Sequence, residues 1–334
     1  MNERLDFGAV ASLRVDVISE TGWFDDATFK ADMAAYGGSE QSQYRVAWTA
    51  ENAGGYSALL TITGLDGAVR RILLDTGWDR TWMDEAYARH GVDRLLQRSE
   101  IDLMVLSHWH LDHFWGIEST LKHDPRLPLY APATWAAEDR SLLQDKATIR
   151  VDDTAGRPLE ICGSTVAHAG DLTLTSPQGE DGSGLYRLFP GVALHMFDAP
   201  MLLRVRGENV LYVNVADKGI VTVTGCGHPG IMTLLDFART RFREDRLYGC
   251  YGGLHLSIFD QWKPEFDTII DDIKASGMVK MGCNHCTGWM WAEKAATHGV
   301  PIVRGTDAYM RYSRHSSAAS GSHAFLGNGD SVTF

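Results

Sequence analysis

The chain has 334 residues, 44% of them hydrophobic and 22% charged, the composition of an ordinary soluble globular protein. Its 31 Lys and Arg against 43 Asp and Glu leave a formal charge of −12; this argues against nucleic acid or an anionic membrane as a partner, since both need a cationic face to displace counterions. An aromatic content of 10% supplies surface to bury and argues against disorder.

The opening MNERLDFGAVASLRVDVISE is charged early and lacks the apolar run of a signal peptide. No window approaches the roughly 18 consecutive apolar residues of a membrane span. Five cysteines, Cys162, Cys226, Cys250, Cys283 and Cys286, are an odd and low count that reads as a reduced, cytoplasmic protein. No repeat and no shift in composition marks a linker, so one domain over residues 1–334 is expected.

In chain order, strands are predicted at Leu13–Ser19, Ala58–Thr63, Arg71–Asp75, Ile101–Ser107, Met201–Arg206, Val210–Val215 and Gly219–Thr224. Several are continuous apolar runs, which suits strands covered on both faces. Breaks at Gly207–Asn209 and Ala216–Lys218 suggest that the stretch from Met201 to Thr224 is a meander. After Pro229, the residues Ile231, Leu234, Leu235, Ala238 and Phe242 recur on one helical face. Further helices are expected at Lys263–Ser276 and Thr287–His298, and a loose polar loop at Ser313–Ser322.

The segment Ser107–Gly116, SHWHLDHFWG, follows the apolar run IDLMVLS and places His108, His110, Asp112 and His113 within six residues. In an extended chain His108 and His110 point the same way, and a turn then brings Asp112 and His113 to a neighbouring position. Three imidazoles and a carboxylate converging at a strand end suit Zn²⁺ or a similar divalent ion.

His-Trp-His-Leu-Asp-His has the form H-x-H-x-D-H and resembles the hallmark of the metallo-β-lactamase superfamily. Leu73-Leu74-Asp75-Thr76-Gly77 is similar to that superfamily's early strand ending in Asp. Thr224–Gly230 (TGCGHPG), Gly252–Leu256 (GGLHL) and His285–Gly288 (HCTG) resemble one branch, the dihydropterin-synthase-like proteins. That branch is named for an enzyme of methanopterin biosynthesis and is similar to hydrolytic dehalogenases of chlorinated aromatic nitriles such as chlorothalonil. The resemblance runs from about Leu13 to the C-terminal strand.

The resemblance implies an α+β fold, an αββα sandwich of two mixed β-sheets with helices on the outer faces and a metal site at one edge. By the same analogy His108 and His110 serve one metal position, while Asp112 and His113 serve a second that His255 joins. The middle of the chain offers no Gly-Asp pair for the usual bridging aspartate. Asn214 and His228 are the expected ligands or near-ligands there, ahead of His195 in LHMFDAP, and a neutral Asn214 leaves both one and two zinc ions open, with Mn²⁺ or Fe as alternatives. Asp75, which precedes a Thr-Gly turn, is expected to accept hydrogen bonds from the histidine loop. Cys226 reads more readily as a buried small hydrophobe than as a nucleophile, and His285, next to an isolated CxxC, as lining the pocket.

A divalent ion lowers the pKa of bound water toward about 7 and so produces hydroxide at neutral pH, with Asp112 placed to orient it. The expected reaction is hydrolysis of a small molecule: an ester, lactone or amide, or dehalogenation of an activated haloaromatic. A pterin-type synthase and an iron-dependent oxidoreductase or sensor are the alternatives. Trp109 and Trp115 flank the histidines and suggest a wall for an aromatic or apolar substrate, with core filling as the competing role. Analogy alone adds a homodimer.

Overall fold

The computed structural model describes residues 4–20, 55–135, 137–144, 148–152, 158–201, 205–257, 262–306 and 324–334. The loop predicted at Ser313–Ser322 lies outside them. The first half of the chain contributes β1 (Val10–Ser19), β2 (Ser57–Gly64), β3 (Val69–Leu74), β4 (Leu103–Val105), β5 (Leu129–Pro132), β6 (Thr148–Asp152), β7 (Pro158–Cys162) and β8 (Leu172–Thr175). The second contributes β9 (Tyr186–Phe189), β10 (Val192–Pro200), β11 (Arg206–Val215), β12 (Gly219–Thr224), β13 (Leu247–Gly252), β14 (Lys280–Cys283) and β15 (Ser331–Thr333).

These strands form two half-sheets in the order β14-β13-β12-β11 and β1-β2-β3-β4-β5-β8, with β6 and β7 pairing apart. Among the described residues the ladder crosses between the halves at one parallel pair, Val10 opposite Val215. Leu13, Val15, Val17, Leu60 and Ile72 of the first half pack against Leu194, Leu211, Val213, Val221 and Val223 of the second. Facing apolar strands of this kind are the inside of a sandwich. The outer face of the second half is covered by Leu234, Leu235, Ile270, Ile273 and Trp291, from helices at Ile231–Arg241, Pro264–Ala275 and Trp289–Thr297. Trp82, Met83, Ala86 and Tyr87 of the helix Arg80–His90 cover the other. The result is the expected order of layers, helix–sheet–sheet–helix.

The meander differs from expectation. Gly207–Asn209 is not a break but part of β11, and the Met201 N–H donates to the Val205 carbonyl at 2.8 Å. Gly207 keeps the ladder because its φ of 90° is open to glycine alone. Among the described residues no helix is long and apolar enough to cross a membrane.

Candidate metal centre

Strand register decides which side chains meet. β3 and β4 run parallel with Leu74 opposite Val105, so Asp75 and Ser107 leave the first half-sheet at one edge. β12, β13 and β14 are also parallel, with Thr224 opposite Gly252 and Gly252 opposite Cys283. Cys226, His255 and His285 therefore leave the second half-sheet together. β11 is antiparallel to β12, pairing Leu211 with Val223 and Asn214 with Ile220. The start of β11, carrying Glu208 and Asn209, thus shares the edge with Cys226, and its end, carrying Asn214, lies at the opposite edge. Asn209 ties the halves together: its backbone N–H donates to the Ser107 carbonyl at 2.8 Å and its side-chain amide to the Leu106 carbonyl at 2.9 Å.

Two groups of donors result. In one, His108 Nε2 lies 2.9 Å from His110 Nδ1, and the His228 ring centroid is 4.7 Å from that of His108 and 5.1 Å from that of His110. In the other, His113 Nε2 lies 3.1 Å from His285 Nε2 and 3.3 Å from Cys226 Sγ. Asp112 adds one oxygen 3.9 Å from His113 Nε2 and another 3.4 Å from His285 Nε2. A third group joins Cys226, His255 and Cys286, whose ligand atoms lie within 4.8 Å of one another.

Buried carboxylates orient three of these rings. His113 Nδ1 is 2.7 Å from Asp75, His228 Nδ1 is 2.9 Å from Glu208, and His285 Nδ1 is 2.8 Å from Glu20. A proton held on Nδ1 by a carboxylate leaves the Nε2 lone pair free to bind a cation. At this edge two buried histidine nitrogens among the described residues, His228 Nε2 and His255 Nδ1, have no hydrogen-bond partner. Such an orphan costs about 1–3 kcal/mol, which a bound ion would offset. Together with nitrogens facing one another at 2.9 and 3.1 Å, this donor set fits a divalent transition metal.

Burial, reinforced by neighbouring imidazoles, pushes the His108 pKa well down and favours the neutral, ligating ring. Burial would raise Glu208, but His228, Thr224 and the Cys226 N–H hold it at about 2. Burial likewise opposes ionisation of Asp112, and the adjoining His113 and His285 overcome it. Burial would lower His285 and is outweighed by Glu20 and Asp112, which raise it. Of the two neighbouring thiols, Cys226 is raised by burial, whereas Cys286 is lowered against its own burial by Cys226, His255 and His285.

The backbone is unusual at the same edge. Asp75, His255 and His285 have φ of 58°, 48° and 51°, a left-handed conformation uncommon outside glycine. Gly225 lies so close beneath the histidine loop that an added Cβ would sit 2.3 Å from Ser107 Oγ and 3.0 Å from Asp75 Oδ2.

His108, His110, Asp112, His113 and His228 are therefore brought together, and Asp75 accepts from Ser107 N at 2.7 Å and Ser107 Oγ at 2.6 Å as well as from His113. Three expectations need correction. Asn214 is not at the site: it sits at the wrong end of β11 and donates to the Gly8 carbonyl at 2.6 Å. His255 lies beside His228, ring centroids 4.5 Å apart, and the place next to Asp112 and His113 is taken by His285. His195 is a core histidine, stacked on Phe237 at 4.2 Å with Nδ1 2.6 Å from the Gly184 carbonyl. Cys226, expected as a small hydrophobe, stands among all three donor groups. Trp109 stacks on Phe114 at 3.7 Å and meets Trp135 edge-on, while Trp115 packs against Trp78 at 5.9 Å, so both contribute to the core under the loop. Sequence reasoning missed Glu208 and Glu20. The available signal was an acid inside an apolar strand (GENVLYV) and one closing another (DVISE).

The family model of the beta-lactamase superfamily domain matches residues 70–198. The chain is 25% identical over 280 residues to the 7,8-dihydropterin-6-methyl-4-(beta-D-ribofuranosyl)-aminobenzene-5'-phosphate synthase of Methanocaldococcus jannaschii, covering 78% of this chain and 87% of that one. It is 26% identical over 181 residues to a hydroxyacylglutathione hydrolase of Pectobacterium carotovorum, covering 51% of this chain and 64% of that one. Among solved structures, a metal-dependent hydrolase of the beta-lactamase superfamily aligns with a TM-score of 0.51 at 18% identity, over 86% of this chain and 93% of that one. Residues 70–198 thus match the beta-lactamase superfamily domain, and the chain as a whole is similar in fold to a metal-dependent hydrolase of that superfamily, with a histidine-rich edge where the two half-sheets meet.

Proposed function

We propose that this protein is a metal-dependent hydrolase of a small molecule. The observation that carries this reading is the set of three imidazoles held at Nδ1 by the buried carboxylates Asp75, Glu208 and Glu20. A divalent ion held by His108, His110, Asp112, His113, His228 and His285 would polarise a substrate oxygen or nitrogen and lower the pKa of water toward about 7. Zinc suits these nitrogen donors.

Asp112 differs from the other three carboxylates of the cluster. Its side chain is 20% exposed, against 0% for Asp75 and Glu208 and 1% for Glu20. Its oxygens stand beside the Nε2 faces of His113 and His285, not behind their rings. It is thus the acid able both to meet substrate and to orient or deprotonate a nucleophile. The substrates that fit are esters, lactones, amides or thioesters, or an activated haloaromatic. The Pectobacterium relative, a hydrolase by name, supports bond hydrolysis.

The test is a panel of these substrates with zinc-loaded protein, read as acid or halide release. Turnover that a chelator abolishes and that falls at least a hundredfold in Asp112→Asn is expected. No turnover of any member would refute hydrolysis. A second reading, a pterin-type synthase, is favoured by the longer match to the Methanocaldococcus enzyme; it predicts the joining of two substrates with expulsion of water or another leaving group, and no hydrolysis of the panel.

A further inference from the structure

We propose that the thiolate of Cys226 is the ligand shared by two cation positions, filling the bridging role for which the sequence offers no aspartate. This rests on the metal-dependent reading above and goes beyond it by fixing the number of ions and the nature of the link between them.

The geometry comes first. Cys226 Sγ lies within 4.8 Å of the ligand nitrogens of His108 and His228, and within the same distance of those of His113 and His285. Its separation from His113 Nε2 is 3.3 Å. No other residue belongs to both of these groups among the described residues. His228 Nε2, buried and without a partner, is an independent sign of a ligand on the same side, and the His228 side chain is only 4% exposed.

Elimination comes second. Glu208 is the nearest acid in the chain's middle, but both its oxygens are spent on the loop behind the site. They accept from Thr224 Oγ1 and from the N–H groups of Cys226, Gly227 and His228, as well as meeting His228 Nδ1. Asp75 is engaged by Ser107 and His113. Asp112 has its oxygens beside His113 and His285 of the second position.

Charge comes third. Two divalent ions would bring four positive charges to neutral imidazoles; Asp75, Glu208 and Glu20 stand behind the rings, and Asp112 is the carboxylate beside the Nε2 faces of His113 and His285. A thiolate between the ions adds a negative charge where the mutual repulsion is greatest. Binding releases the Sγ proton to water, since a coordinating thiol is deprotonated outright.

The experiment loads metal-free protein with Co²⁺ without air, counts cobalt per chain and records the near-ultraviolet spectrum. Wild type should hold two cobalt ions and show a thiolate-to-cobalt charge-transfer band. Cys226→Ser should lose the band and about half the cobalt. Cys226→Asp should lose the band yet keep two ions, which also shows that the site still folds. Cys286→Ser should retain both. Two ions without a charge-transfer band would overturn the bridge while leaving the metal-dependent reading intact. A band lost in Cys286→Ser and kept in Cys226→Ser would overturn it in favour of the other thiol. No cobalt in wild type would overturn both readings.

Discussion

Glu208→Gln is the sharpest probe of how the site is built. Glu208 Oε1 accepts from Thr224 Oγ1 at 2.8 Å, Cys226 N at 3.0 Å and Gly227 N at 2.8 Å, and Oε2 accepts from His228 N at 2.8 Å and faces His228 Nδ1 at 2.9 Å. An amide of the same shape has one accepting oxygen and one donating NH2. Turned the less costly way, it keeps the three Oε1 partners and sets the NH2 against the His228 pair. The His228 N–H is then buried without an acceptor, a loss of about 1–3 kcal/mol. The ring must also accept at Nδ1, which moves its proton to Nε2 and blocks the nitrogen aimed at the metal. Removing such an orienting partner lowers metal affinity about 10–100-fold, equivalent to about 1.4–2.7 kcal/mol. The assay is zinc affinity by competition with a chromogenic chelator, paired with denaturant unfolding in excess chelator so that the two losses are read separately. Zinc affinity within twofold of wild type would refute the claim that Glu208 sets the His228 tautomer.

In the chelated protein Glu208 is held at about 2 against an ordinary 4.5, so its contribution is complete above 4.5 and drains as pH falls through about 2. His228 is raised above its ordinary 6.5 despite burial, because Glu208 faces it; its share is complete below 6.5 and is lost as pH climbs through the raised value. The stability gap between wild type and Glu208→Gln should therefore be widest between pH 4.5 and 6.5, and a flat gap from pH 2 to 9 would contradict the pairing. Gly225→Ala would place a Cβ 2.3 Å from Ser107 Oγ; about 1–3 kcal/mol of overpacking is expected, together with lower zinc occupancy, and an unchanged Tm would show that the loops have room. Asn214→Ala removes a bond to the Gly8 carbonyl at an exposed position. It should cost no more than about 1 kcal/mol and leave metal content unaltered, whereas loss of zinc would return Asn214 to the site.

The histidine loop was legible because its meaning is local: the spacing of His108, His110, Asp112 and His113 after an apolar strand needs only the geometry of a few residues. The helix at Ile231–Arg241 was legible for the same reason, as one periodic face. Asn214 was misplaced because a strand read in sequence has two equivalent ends. Only the antiparallel register, Leu211 opposite Val223, shows that the end near Glu208 reaches the site. The exchange of His255 for His285 has a similar origin. Both follow parallel strands and leave at the same edge, so strand-end position alone does not separate them. Their left-handed φ of 48° and 51° re-aim each side chain in a way the sequence does not announce. Trp109 invited a pocket because it neighbours ligands in the chain, but alternation along an extended segment turns it to the opposite side, onto Phe114.

Among the described residues the one ladder pair between Val10 and Val215 leaves the two half-sheets joined mainly by side-chain packing and by hydrogen bonds such as those of Asn209 and the Tyr56 hydroxyl. An ion ligated by His108 or His113 from one half and by His228 or His285 from the other would act as a crosslink between segments distant in the chain. At a free concentration a thousandfold above its Kd such a ligand adds about 4 kcal/mol to the folded state, and that gain falls on the seam, not within either half. Metal supply would then govern how firmly the halves of the sandwich stay seated against each other, so that a starved protein opens along its seam before either sheet melts.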